Sequence, residues 1–162
     1  MLYRTYRMYN NCMEIMVPSS LSAGTTSPIA QYHWQSEDKK VVVDVARGGA
    51  DLDEEGLYER LNEYYKGFCK DITNFQCLHI EKRSVNGHAY GELRYTSDMM
   101  GYRFYNVFML GALEGRELVL TLQCMDKDVK SHLHIFEIIS DSIRILRNNN
   151  TEKAGGAYDS ED

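Results

Sequence analysis

Clustered positive charge is the first thing this sequence lacks. Its 18 lysines and arginines are outnumbered by 24 acidic residues, leaving a formal charge of −6 and a pI near 5.4. The basic residues are scattered and interrupted by acids, which excludes a nucleic-acid surface, because phosphate binding needs clustered Lys and Arg to displace counterions. Long apolar runs are missing too. The longest, Phe104 to Leu113, is broken by Asn106 and falls well short of the roughly 20 residues that span a bilayer. The start, "MLYRTYRMYNNCMEIMVP", has neither the apolar stretch nor the small-residue cleavage site of a signal peptide. A cytoplasmic protein with no membrane span is therefore expected.

Catalytic and metal signatures are absent as well. No GxxxxGK[ST], GxGxxG, HExxH or GxSxG occurs, so phosphate-loop, dinucleotide, zinc-protease and hydrolase-elbow chemistry have no support. Cysteines Cys12, Cys69, Cys77 and Cys124 form no CxxC pair and have no histidine at zinc-ligand spacing, which argues for reduced, mostly buried thiols. Of the five histidines, His33, His79, His88, His132 and His134, the last two are two apart on an expected helix and point in different directions, so they cannot share a metal. No cofactor or metal is expected.

What is present is a chain of ordinary composition for a soluble globular protein, 43% hydrophobic and 26% charged, long enough to bury a single core. One α+β domain is expected over residues 1–146. "RNNNTEKAGGAYDSED", residues 147–162, carries almost no apolar content and reads as a disordered acidic tail.

Within the domain, Tyr9 to Val17 places Met13, Ile15 and Val17 on one side of a strand, followed by the Ser/Thr/Gly loop "PSSLSAGTTSP". Two further strands, Ile29 to Gln35 and the β-branched "KKVVVDVA", flank a polar turn at "SEDK". The pattern then changes to helical spacing: Leu57, Leu61, Tyr64 or Tyr65, and Phe68 make one stripe, with Asp51 or Asp53 as its cap. From Phe75 to Met125 four strands follow, turning at "VNGH", "TSDMMG" and "GALEGR" as an antiparallel meander. Val129, Leu133, Phe136, Ile139 or Ser140, and Ile143 mark a second helix, with Asp126 or Asp128 to cap it.

This order, βββ-α-ββββ-α, gives an antiparallel sheet of about six to seven strands flanked by helices. In "MEIMVP" with its loop, "LYERLNEYYKGF", "VNGHAYGELRYT", "GRELVLTLQC" and the closing "FEIISDSIRI" it resembles the Mog/PsbP-like superfamily, over about Tyr6 to Leu146. The closing helix is similar to that of DcrB-type and Eag-chaperone members. The resemblance implies a non-enzymatic job: members include a Ran-binding import factor, photosystem-associated lumenal proteins, bacterial lipoproteins, and chaperones that shield transmembrane segments of secreted effectors.

The residues themselves suggest two kinds of surface. Twelve tyrosines accompany a single tryptophan, and tyrosine suits binding surfaces by joining apolar area to a polar tip. Alternation separates Tyr102, Phe104, Asn106, Phe108 and Leu110 from Arg103, Tyr105, Val107 and Met109. One face is core, and the other is apolar where a solvated sheet would be polar, so either one of the protein's own helices covers it or a partner does. Met99, Met100, Tyr102, Tyr105, Val107 and Met109, with Tyr90 and Tyr95 beside them, are thus the candidate surface for another protein or apolar peptide, with a homodimer through the same surface as a variant. The alternative is a small-molecule or enzymatic pocket under a curved, cystatin-like sheet, lined by Asp44, His88, Glu92 and Arg94, where paired carboxylates could exchange protons.

Overall fold

In the computed structural model, which describes residues 1–24 and 29–146, ten strands and two helices follow one another along the chain. They are β1 (Tyr3–Met8), β2 (Met13–Pro18), β3 (Ser22–Ala23), β4 (Tyr32–Gln35) and β5 (Val42–Asp51), then α1 (Leu57–Asp71). After it come β6 (Gln76–Val85), β7 (His88–Met99), β8 (Tyr102–Leu113), β9 (Arg116–Met125), α2 (Val129–Asp141) and β10 (Arg144–Ile145). The tail expected over 147–162 lies outside the described residues.

The α+β class holds, and each helix stands where its period places it. The strands divide between two antiparallel sheets, one ordered β3-β4-β5-β9-β8-β7-β6 and a smaller one ordered β1-β2-β10. Three strands were not expected: β1, the two-residue β3 inside the polar loop, and β10, which pairs Arg144 with Glu14 and Ile145 with Met13.

The three hairpins of the meander turn on residue pairs with positive φ: Asn86-Gly87, Met100-Gly101 and Glu114-Gly115. Such two-residue turns match the right-handed strand twist. Their register fixes which side chains share a face. Tyr90, Glu92 and Arg94 of β7 lie on the same face as Val107 and Met109 of β8 and Leu120 and Leu122 of β9, whereas Leu93, Phe108 and Thr121 occupy the other.

Helix α1 covers that second face. A 3-10 turn over Glu54–Gly56 leads into it, and Asp53 caps that turn, not α1 itself, its carboxylate accepting from Gly56 N–H at 2.9 Å; Leu57 and Leu61 pack on Leu93, Phe108 and Leu110. The approach is close enough to require glycine beneath: a Cβ on Gly91 would come within 2.8 Å of Leu61. Asn106, the break in the apolar run, is buried on this face too, donating to Ser97 Oγ at 3.0 Å and accepting from Gln123 Nε2 at 2.8 Å. A buried amide is tolerated when its bonds are made.

The first face is covered by α2 and the small sheet together. Phe136, Ile139 and Ile143 join Met13, Ile15 and Val17 of β2 in one core with Val43, Val45, Val107, Met109, Leu120 and Leu122. Neither Asp126 nor Asp128 caps α2 with its side chain, contrary to the sequence reading. A 3-10 turn over Asp126–Asp128 leads into the helix instead.

Candidate functional site

The expected binding face is interior. Tyr90, Tyr105, Val107 and Met109 are buried, which corrects their assignment to a partner-binding surface and removes that face as a homodimer contact. The physical reason is α2 and the small sheet: Phe136 stacks on Tyr105 with centroids 6.4 Å apart, and Tyr90 lies so flat over β8 that a Cβ on Gly111 would meet its ring at 2.5 Å. Tyr95 is half-buried on the opposite face, tilted against Phe68 at 5.4 Å and Phe75 at 5.1 Å.

Three members of the set stay outside, all at one hairpin tip. Met99, Met100 and Tyr102 are exposed, Met100 by 88%. Met100 has φ of +53°, a left-handed conformation in which its Cβ crowds the following carbonyl. The neighbouring arm is polar and held: Asp98 accepts from Asn74 Nδ2 at 2.5 Å and from Arg103 Nη1 at 2.9 Å, and Arg103 also reaches Thr96 Oγ1 at 2.5 Å. Those two donors hold the Asp98 carboxyl below its ordinary pKa, that of Asn74 foremost.

The alternative pocket does not assemble, which corrects that expectation as well. Asp44 sits opposite His33 on β4, Nδ1 to Oδ1 2.6 Å, and its register partner Thr121 places it on the α1 face. Glu92 and Arg94 are on the other face, three strands away. His88 is at the far end of β7, 2.8 Å from Glu54. That hydrogen bond above all, then the one from Ala89 N–H at 3.1 Å, keeps the Glu54 carboxyl below its ordinary pKa.

Glu92 and Arg94 do meet, in a cluster that spacing along one strand does not show. Glu92, 1% exposed, accepts from Arg83 Nη1 at 2.6 Å on one oxygen and from Arg94 Nε at 2.6 Å on the other. Arg83 goes on to Asp141 at the end of α2, and Asn86 Nδ2 donates to the carbonyls of Asp141 and Ile143. The cluster thus joins β6, β7 and α2. His79 and Glu81 stand near enough to Glu92 to form a ligand set, but both Glu92 oxygens are already engaged by guanidinium groups, whose positive charge opposes a bound cation.

A second buried carboxylate escaped the sequence reading. Glu117 accepts from Arg60 Nε at 2.9 Å and from Tyr64 Oη at 2.9 Å, with the Arg60 guanidinium 4.5 Å over the Tyr64 ring. Burial, with the bond to Glu117, raises the Tyr64 pKa. These contacts tie α1 to β9 and leave no free acid or base.

Two clefts lie at the sheet's margins. One of about 420 Å³ is lined by Asp51, Asp53, Glu59, Arg60 and Glu63 among others, and one of about 510 Å³ by Tyr9, Asn10, Cys12, Tyr32, Arg47 and Glu114. Neither contains Asp44, His88, Glu92 or Arg94. In the second, Cys12 Sγ lies 3.4 Å from Glu114, and burial together with that carboxylate pushes the thiol up to about 11, the opposite of an activated nucleophile.

No family model matches the sequence, and no curated protein matches it. The fold does have counterparts among solved structures. Cyanobacterial PsbP (CyanoP) from Synechocystis sp. PCC 6803 is similar with a TM-score of 0.66 at 11% identity, over 89% of this chain and 92% of that one. LpqN of Mycobacterium tuberculosis, described as involved in cell envelope biogenesis, gives 0.62 at 12% identity, over 90% and 91%. PA94 of Pseudomonas aeruginosa, described as a putative regulator of unknown function, gives 0.58 at 13%, over 91% and 99%. The fold is therefore PsbP-like.

Proposed function

We infer that this protein is a non-enzymatic protein-binding module, a cytoplasmic chaperone or adaptor of the DcrB and Eag-chaperone kind, holding an apolar segment of a partner such as a secreted effector. The observation that carries the reading is the Met99–Tyr102 tip. Met100 combines a left-handed backbone, which costs any residue with a Cβ, with an 88% exposed apolar side chain, and Met99 and Tyr102 stand exposed beside it. The neighbouring turn uses Asn86-Gly87 for the same geometry, so the fold has a cheaper solution at hand. Methionine offers a flexible, polarisable contact that adapts to varied apolar partners. The separate engagement of Asp44, His88, Glu92 and Arg94 supports the non-enzymatic part of the reading.

The test uses Met100→Asn, which keeps the turn and removes the apolar tip. A fluorescein-labelled Leu/Ala-rich peptide with lysines at its ends is titrated with wild type and variant, and anisotropy is followed. Wild type is expected to bind and the variant to bind several-fold more weakly, while its stability holds or rises by about 0.5–1 kcal/mol as strain is relieved. Equal binding by the two proteins would remove the tip from the site.

A further inference from the structure

The seven-stranded sheet closes on two unlike edges. At one end stands β3, two residues long, and short edge strands are a common way of keeping a sheet from adding neighbours. At the other stands β6, ten residues long, paired with β7 alone. Alternate N–H and C=O groups along its outer side are therefore without a strand to bond, among the described residues. β6 also carries two exposed apolar side chains, Leu78 at 50% and Ile80 at 37%. These are independent of the Met99–Tyr102 tip, and the inference drawn from them does not rest on it.

What such an edge accepts is an extended strand, and the charges along it select which one. When two copies of a strand pair about a two-fold axis perpendicular to the sheet, each residue faces one on the same side of the pleat. Centring the pair on Glu81 would set that carboxylate against its own copy and His79 against Arg83. Centring it on Lys82 would oppose two ammonium groups. Centring it on Ile80 sets Ile80 against Ile80 and His79 against Glu81, twice by symmetry, and no like charges meet. The bulge between Cys77 and His79 lies at the margin of that register. Within one chain His79 Nε2 is already 3.1 Å from Glu81 Oε2, so the two-fold would build an alternating ring of two imidazoles and two carboxylates on one face.

We propose that the protein self-associates through β6, two copies joining edge to edge into one continuous sheet in the Ile80-centred register. A single strand pair covers less than the roughly 800 Å² per partner of a standard interface, so the dimer is weak and depends on concentration.

Sedimentation of the full chain from about 10 µM to about 1 mM, a range that brackets weak interfaces, is expected to show a monomer–dimer equilibrium. Glu81→Lys removes the carboxylate acceptor that faces His79 in both symmetry-related pairs and should weaken the dimer by about tenfold. Exchanging the two residues, His79→Glu with Glu81→His, should restore it, because only the Ile80-centred register keeps those positions opposed. A covalent readout does not depend on variant affinity. With Cys69 and Cys77 replaced by serine, Ile80→Cys should form a disulfide-linked dimer on mild oxidation and Lys82→Cys should not, since residues directly opposite across strands lie within disulfide reach. A monomer at the highest concentration, or a dimer indifferent to both the charge reversal and the exchange, overturns the proposal; in the first case the edge is left for a foreign strand.

Discussion

Replacing Glu92 with glutamine changes one oxygen for an amide and leaves the shape of the core untouched. In the folded protein the carboxylate takes two charge-assisted hydrogen bonds at 2.6 Å, from Arg83 and Arg94, each worth about 1.5–3 kcal/mol. Glutamine can accept only one of them, and its amide donor then faces the other guanidinium. The loss stays below the roughly 3–5 kcal/mol of a fully buried pair, because both arginines keep about a fifth of their side-chain surface in water, 22% and 23%, and Arg83 retains Asp141. The expected cost is about 2–3 kcal/mol, or a Tm lower by roughly 5–10 °C for a chain of this size. Trp34, the single tryptophan and buried, reports unfolding in urea by its fluorescence. A Glu92→Gln variant within about 0.5 kcal/mol of wild type would refute the view that this cluster fastens β6, β7 and α2. Combining it with Arg94→Met should show coupling, since the two groups are in direct contact.

Three other outcomes are expected. Tyr90 has a buried hydroxyl with no hydrogen-bonding partner among the described residues, so Tyr90→Phe should leave stability unchanged or raise it by up to about 1 kcal/mol in the same urea assay. The Glu54 carboxyl is held below its ordinary value by His88 above all, which means its stabilisation is present above pH 4.5 and is lost as pH falls through the lower folded value. The gap in Tm between wild type and Glu54→Gln should thus close as pH falls below 4.5, and it should be small, a few tenths of a kcal/mol, because both groups are well exposed. Against a thiol reagent at about pH 8, exposed Cys69 should react in the native protein. Cys12 and Cys124, raised by burial to about 11 and about 12, should react only on unfolding; rapid native labelling of either would contradict their placement in the core.

Much of the fold is legible in the sequence because burial imposes a period. α1 shows its stripe at Leu57, Leu61, Tyr64 and Phe68, and the meander its glycine-bearing turns, and both stand where those signals put them. β1 was missed for the converse reason. In "YRTYRM" only Met8 is buried, so an edge strand of the small sheet offers no alternation to detect. β10 was missed because two residues make no period.

The site was legible only in part. Alternation separates the two faces of β8, but periodicity is blind to what lies above a face, so it leaves a covering helix and a partner as alternatives; α2 with β2 is what covers the second face. The exposure of Met99 and Met100 is legible because they stand at a hairpin tip. The pairing of Glu117 with Arg60 and Tyr64 joins residues more than fifty apart, and Arg83 meets Asp141 across a similar span. A single sequence carries no signal for such contacts, since charged residues at those positions look like any solvated face.

The pairing of β10 with β2 also sets an order of events. A two-stranded hairpin is marginal in water by itself, and β1 with β2 is only that until α2 and β10 have been made. Through synthesis, Met13, Ile15 and Val17, all fully buried in the finished molecule, have no partner from the small sheet's third strand and no Phe136 or Ile139 to lie against. The bond from Leu146 N–H to the Cys12 carbonyl at 2.8 Å then fastens the segment after β10 against the residue that precedes β2. Strand β2 thus presents an unfinished apolar surface until α2 and β10 have been made, and a chain cut after Asp128, which loses both, would carry that state permanently.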